Sequence, residues 1–395
     1  MLRRAWCALI IRMAQSKTLK AQEFDSLVIG AGLSGLIAAN LLEATGRHVA
    51  LVEAGDHVGG ASRGGQTLAG AVDHGLKLVP DCESAHAALD WLEQLIGEKI
   101  SRVLVEAAPL NFDDGRFKPY VGFGDSGVMT SSEVEAYALP RRLDLNPSAR
   151  SWVPKLAEQF TGTLLTQAQV TRMMLEDGYV IETIINGTKR ITAKEIIFSG
   201  APHLLTSLLS EGALTARVRQ KLVKGDFWTS VNLDLVHPQP ITDSRSVHVL
   251  KGANEEPTVG LFHEPTRQDG GRLLQVSQWL TLIPRDQIDE EELVASALKQ
   301  IKRQIKRAYE TALDGILQER ILVVPASHGN LVGAFEHPGR LPKIENLWLT
   351  SSFFSEERNT LGAIAHTRRI VDSIGGHPGE TDLDPNGERP RYVEA

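Results

Sequence analysis

Residues 30–35, Gly-Ala-Gly-Leu-Ser-Gly, place three glycines at the GxGxxG spacing, and Glu53 stands 18 residues beyond the last of them. That set suits a dinucleotide. Gly30 permits a tight turn, Gly32 lets backbone approach a pyrophosphate, and Gly35 lets a helix lie close on a strand. Leu33 and Ser34 open that helix, where phosphates meet unpaired N–H groups and the positive end of the helix dipole. A carboxylate at Glu53, followed by Ala54, accepts hydrogen bonds from ribose hydroxyls and repels a 2′-phosphate, which disfavours NADP. Glycine-rich hexapeptides also arise by chance, and a ligand-free strand-to-helix turn is the competing reading, so the flanking elements carry the weight.

Those elements have the required order. Residues 24–29 (FDSLVI) are a short apolar run of strand formers, 33–44 carry small and aliphatic residues at helical spacing before Gly46, and 48–53 (HVALVE) read as a second buried strand. Strand, glycine turn, helix and strand make a βαβ unit. Further helices are predicted over 84–95, 154–160 with Pro154 in the first turn, 289–314 and 361–374. Strands are predicted over 164–174, 179–185 and 189–198, joined by Asp177-Gly178 and Asn186-Gly187 turns, and then over 230–236, 247–250, 258–262, 273–280 and 347–350. Residues 102–145 read as irregular, and no internal repeat is seen.

A chain of 395 residues can bury a large core and suggests two domains. A net charge of -7, with no basic run interleaved with aromatics, gives no footprint for nucleic acid. Cys7 and Cys82 are too few for a disulfide framework, and the 12 histidines show no metal-ligand spacing, so no metal is expected. Residues 1–13 (MLRRAWCALIIRM) look like a shortened signal peptide with no cleavage site, and initiation at Met13 is the alternative reading. No segment approaches the roughly 18–20 apolar residues of a membrane span. The expectation is a cytoplasmic protein with peripheral membrane contact at most, and with flexible termini at 1–23 and 377–395.

Residues 28–60 resemble the FAD-binding start of the flavin amine oxidase and protoporphyrinogen oxidase superfamily, which includes phytoene-desaturase-like enzymes. After the acidic residue that family continues with two glycines and a basic residue, and here Gly59-Gly60-Ala61-Ser62-Arg63 follow. Val72-Asp73-His74-Gly75 is similar to the family's Asp-x-Gly segment, which brings backbone at Gly75 toward the flavin. Gln169-Val170-Thr171 resembles the place where a valine backbone meets adenine, and 196–202 (IIFSGAP) the strand and turn that end this part. Residues 345–374 look like the terminal strand, loop and helix at the ribityl and pyrimidine end. There the family's Gly-Asp is replaced by Ser351-Ser352, with Ser352 as the weaker hydrogen-bonding partner, while Gly362 and Ala363 match its Gly-Ala. The resemblance implies non-covalent FAD and a Rossmann-like α/β FAD-binding domain, a parallel sheet plus a three-stranded β-meander, with an inserted α+β substrate domain. On that plan 24–83, 151–205 and 331–376 form the FAD-binding domain, and 84–150 and 206–330 the substrate domain.

Flavin performs hydride chemistry itself, so the residues around it position, polarise and exclude water. Lys251 is a candidate for the lysine that many amine oxidases hold near flavin N5, with an ordinary surface turn as the other reading. Trp279, Phe335, Phe353 and Phe354 are candidate aromatics beside the flavin, although core packing accounts for each. His328 and His337 are candidate bases near pH 7 or structural loop residues. Arg141 and Arg142 fit an anionic substrate or, more simply, a solvated corner. Cys82 lies away from the positions this family uses for covalent attachment. The expected activity is hydride transfer from a C–N or C–C bond of a small organic substrate to FAD. A desaturase, a flavin-dependent mutase or isomerase, and a non-catalytic flavin-binding scaffold are the alternatives.

Overall fold

The computed structural model describes residues 21–375 apart from 125–126, 211, 225–226, 253–254, 269, 286–290 and 356. The leader-like stretch, Cys7, Met13 and the tail from 377 lie outside the described residues.

Two large sheets organise the chain. In the first, strands β1 (Gln22–Ile29), β2 (Val49–Val52), β9 (Thr163–Leu165), β12 (Lys189–Phe198) and β19 (Leu347–Leu349) run parallel. Strands β10 (Val170–Glu176) and β11 (Tyr179–Ile185) extend it as an antiparallel meander that ends in β12. Every residue of β2 is buried, as expected of a strand covered on both faces. Alternation then divides the core. Val28, Leu51 and Ile197 face a layer of helices, α1 (Leu33–Ala44), α2 (Glu83–Ile96), α3 (Ala149–Gln159) and α5 (Thr360–Gly375), while Leu27, Ile29, Val52 and Phe198 face the other side.

The second sheet has the order β18-β13-β17-β15-β14-β6-β7. It comprises β6 (Leu110–Asp113), β7 (Arg116–Pro119), β13 (Phe227–His237), β14 (His248–Leu250), β15 (Thr258–Phe262), β17 (Leu273–Pro284) and β18 (Gln318–Gly329). Helix α4 (Glu291–Ala308) covers one face, where Ile301 and Ile305 pack on Val231, Leu233 and Trp279. The alternate residues Ser230, Asn232, Asp234 and Gln278 are also buried.

Several expectations need correction. The strand predicted over 164–174 is two strands, because Gln167 adopts φ 51° and breaks the run between β9 and β10. Pro154 lies inside α3 rather than in its first turn, since residues 149–153, expected before the helix, already belong to it. Helix α2, assigned from sequence to the substrate part, packs with α3 and α5 on the first sheet through Leu89, Leu92 and Ile96. The stretch read as irregular holds β6, β7 and a pair of strands at Ser101–Glu106 and Arg141–Asn146. The 12-residue β18 was not predicted at all. Gln22 and Glu23 belong to β1, not to a flexible terminus. The βαβ unit itself is where the sequence placed it, with α1 over the predicted residues.

Gly35 holds that unit together: a Cβ added there would lie 1.8 Å from the Gly30 carbonyl oxygen. Gly35→Ala should therefore destabilise the chain by about 1–3 kcal/mol, as overpacked sites do. The check is the urea midpoint, and an unshifted midpoint would remove Gly35 from this packing role.

Candidate dinucleotide and substrate cavity

A cavity of about 820 Å³ opens where the C-terminal ends of β1, β2, β12 and β19 approach β13 and β18. Its size lies within the roughly 300–1,000 Å³ of small-molecule sites, and strand ends are where open parallel sheets bind ligands. Leu33, Ser34 and Ala54 are on the wall with Gly30 and Glu53.

Gly32 is the informative residue at this end. Its φ of -69° and ψ of -179° suit any amino acid, and a Cβ added there meets nothing within 4 Å. Neither backbone strain nor internal packing calls for glycine, so what its Cβ would obstruct is the cavity in front of it. Helix α1 starts there with no side-chain cap, leaving first-turn N–H groups open to an anion. The Glu53 carboxylate is pinned beside them. It accepts the Ala31 N–H on Oε2 and the Gly55 N–H on Oε1, each at 2.8 Å, and each oxygen keeps accepting capacity. The Gly59 N–H donates to the Ala31 carbonyl at 2.6 Å, which brings Gly59 and Gly60 alongside.

The next part of the wall is tied to Glu53 by backbone: Glu53 N–H donates to Leu165 and Ala168 N–H donates to Glu53, each at 2.8 Å. Asn186, from the predicted hairpin turn, accepts the Gln169 N–H and donates to the Gln167 carbonyl, both at 2.9 Å. Val170 thereby reaches the wall. Just past the C-terminal end of β19, Thr350, Ser351 and Ser352 line the cavity, and the Thr350 and Ser351 hydroxyls are buried without a protein partner. Buried hydroxyls normally have partners, so these two suit a hydroxylated ligand chain. Anion-accepting turn, ribose-accepting carboxylate and unpartnered hydroxyls together fit FAD.

Gly75, φ 69°, lies on the wall against Asn232, whose Oδ1 is 2.7 Å from where a Cβ would be. Gln278 donates to the Asp73 carbonyl at 3.1 Å, and Arg320 donates to it at 3.0 Å while pairing with Asp234 at 2.6 Å. Burial pushes the Asp234 carboxyl up, and the bonds from Gln278 and Arg320 oppose that shift. The loop from Asp73 to Gly75 is thus clamped by the second sheet.

Past Gly75 the wall changes character, with Leu76, Lys77, Tyr137, His328 and Arg358. Both nitrogens of His328 are occupied, by the Tyr137 hydroxyl and the Ser327 hydroxyl at 2.7 Å each, and Ser327 Oγ accepts the Ser230 N–H at 3.1 Å. Burial, and then the charges of Lys77 and Arg358, push His328 down to about 3. It is a neutral ring that accepts one hydrogen bond and donates another, not the base near pH 7 expected of it. Burial, with Glu133 nearby, pushes the Tyr137 phenol up, so it keeps its proton.

The other expected residues fall elsewhere. Lys251 is off the wall, at the end of β14, with its carbonyl accepting from Arg307. Trp279 is fully buried on the α4 side of the sheet and donates to Ser277, because strand alternation turns it away from Gln278. Phe335 and Phe354 are core, Phe353 touches the cavity, and His337 is off it. Arg63 is exposed and off the wall. Gly362 is also off it, its N–H taken by Asn359 at 2.9 Å; glycine is needed there because a Cβ would lie 1.7 Å from the Glu357 carbonyl. Ala363 does reach the wall. Arg141 is exposed and paired with Asp81, but Arg142 is buried, against the solvated-corner reading. Cys82 is a free thiol beside Ser84, off the cavity. Among the described residues no cluster of metal ligands occurs and no helix is long and apolar enough to cross a membrane. The sequence reading missed Lys77 and Tyr137. Lys77 was findable, two residues beyond Gly75, whereas nothing local marks Tyr137.

Four histidines, His237 and His248 buried and His203 and His328 part-buried, set the acid limit. His203, His237 and His248 are pushed down to about 4 by burial, and His328 to about 3. The unfolded chain takes up their protons near pH 6.5 and the fold resists, so stability is full above that pH and lost as pH falls toward the folded values. Urea midpoints taken from pH 7 down should show this loss, and His328→Gln should reduce its slope by up to about 1.4 kcal/mol per pH unit. Equal slopes in the two proteins would mean that His328 is not held neutral.

Comparison with known proteins places this geometry. Residues 28–95 match the model of the NAD(P)-binding Rossmann-like domain. Protein FixC of Escherichia coli O157:H7 is 27% identical over 190 residues, 48% of this chain and 38% of that protein, and FixC of strain K12 is 25% identical over 189 residues. The match thus spans well under half the length of these curated relatives. Among solved structures, putrescine oxidase bound to putrescine superposes with TM-score 0.64 at 14% identity, over 90% of this chain and 99% of that one. Cyclohexylamine oxidase from Brevibacterium oxydans gives 0.64 at 13%, over 89% and 98%. A candidate protoporphyrinogen oxidase from Exiguobacterium gives 0.65 at 13%, over 90% and 99%. The chain thus shares the fold of these oxidases.

Proposed function

We propose that the cavity binds FAD non-covalently and that the protein is an FAD-dependent oxidoreductase acting on a small organic substrate. The observation that carries this reading is Gly32, a glycine that only a ligand in the cavity requires. FAD, when bound, supplies the hydride-accepting chemistry for a C–N or C–C bond. Residues 24–83, 151–205 and 331–376 supply most of the cofactor half, and 206–330 cover the substrate half.

The chain's own residues have separable tasks. First-turn N–H groups of α1 take the pyrophosphate, Glu53 takes a ribose, Ser351 and Ser352 take the ribityl chain, and Gly75 brings backbone to the ring. Tyr137 and the neutral His328 form a linked donor–acceptor pair that orients a substrate. Leu76 and Leu78 give the wall apolar surface that excludes water. A mutase acting on a diphosphate needs several free arginines, and the one on the wall, Arg358, is paired with Glu133.

The purified protein should show bands near roughly 370 and 450 nm, and acid or heat should release FAD, since no thiol is on the wall. A colourless protein that cannot be reconstituted sinks the reading and leaves a scaffold role. Gly32→Ala should leave the urea midpoint of the FAD-free protein within about 0.5 kcal/mol while lowering its FAD affinity at least about tenfold. Glu53→Ala should also lower the FAD complement; a full complement would mean that the ribose contact is assigned to the wrong residue.

A further inference from the structure

The far end of the cavity contains a lysine whose side chain is unpartnered among the described residues. The Lys77 ammonium, on the wall and part-buried, has no hydrogen bond or ion pair to a described residue, and burial pushes its pKa down while Asp73 opposes that shift. The nearest opposing charge, Asp73, is engaged elsewhere: it accepts the Ser148 hydroxyl at 3.1 Å and the Arg150 N–H at 3.0 Å, with the Arg150 guanidinium at 3.8 Å. Arg358 is paired with Glu133, and Glu357 accepts the Ser84 hydroxyl. His328 and Tyr137 are neutral, each the other's hydrogen-bond partner. Beside Lys77 the wall is apolar, with Leu76, Leu78, Pro80 and Leu139.

We infer that Lys77 is a specificity-determining residue that binds the carboxylate of the substrate, and that the substrate is a small organic acid with an apolar body. An ammonium removed from bulk water without a partner is costly, and an incoming carboxylate restores both the charge and the hydrogen bond. A cationic amine meets like charge at the same place, and like-charge juxtaposition discriminates between ligands of one shape. The apolar wall takes the carbon body and leaves the reacting C–H toward Gly75. This inference rests on the oxidoreductase reading for the role of that C–H, but the anion site stands on Lys77 and its surroundings alone.

Calorimetric titration of the FAD-loaded full chain with benzoate, benzyl alcohol and benzylamine compares one body with three head groups. Benzoate should bind at least about tenfold more tightly than benzylamine near neutral pH. Lys77→Met should weaken benzoate at least about tenfold and leave benzyl alcohol within about threefold, whereas Lys77→Arg should keep most of the benzoate affinity. Lys77→Gln repeats the comparison should the methionine variant fail to fold. Benzylamine binding as tightly as benzoate, no benzoate binding, or unchanged benzoate affinity without the lysine overturns the inference. Failure of the flavin reading is seen separately, as a protein that neither contains nor takes up FAD, and the order of the three ligands is still decisive in that protein.

Discussion

The close contact between Gly35 and the Gly30 carbonyl is the constraint on which the site depends. With no side chain at that point, α1 lies against the turn that ends β1, and its first N–H groups face out over the ends of the parallel strands. Glu53 is held to the same turn through Ala31 and Gly55, so the carboxylate and the helix N-terminus form one rigid unit. Rigid placement matters because a pre-formed anion site costs little ordering when a ligand arrives.

A second constraint joins the two sheets. The loop from Asp73 to Gly75 leaves the first part of the chain and is received by Asn232, Gln278 and Arg320 from β13, β17 and β18. Arg320 and Asp234 are costly to bury singly, and as a hydrogen-bonded pair they offset much of that cost while fixing the loop. The cavity is therefore a product of both sheets, with the nucleotide end built on one and the substrate end closed by the other.

Electrostatics divides the cavity in the same way. Near Glu53 and α1 it offers backbone donors and a carboxylate, a pattern for phosphate and ribose. Near Lys77 it offers a cation, two neutral hydrogen-bonding rings and apolar walls. The low position of His328 follows from burial beside Lys77 and Arg358, so one feature of the substrate end sets the protonation state of another.

The nucleotide half was legible in the sequence because its determinants are local. A buried strand, three glycines, a helix and an acid occupy successive short segments, and backbone sterics call for glycine at Gly30 and Gly35. The Asn186-Gly187 turn was legible for the same reason. The substrate half was not. Trp279 was weighed between the flavin face and core packing, and Lys251 between the flavin lysine and a surface turn; strand alternation turns the first toward α4, and the second follows an interior strand away from the cavity. Tyr137 and His328 are 191 positions apart, and only the fold of β18 against the 131–139 segment brings them to 2.7 Å. Lys77 shows both limits: its place after Gly75 is local, but its lack of an ion pair among the described residues is a property of the packed cavity. Short-range sterics thus determined from sequence alone the glycine turn and the helix start, whereas long-range packing, which decides burial and charge pairing, determined what faces them.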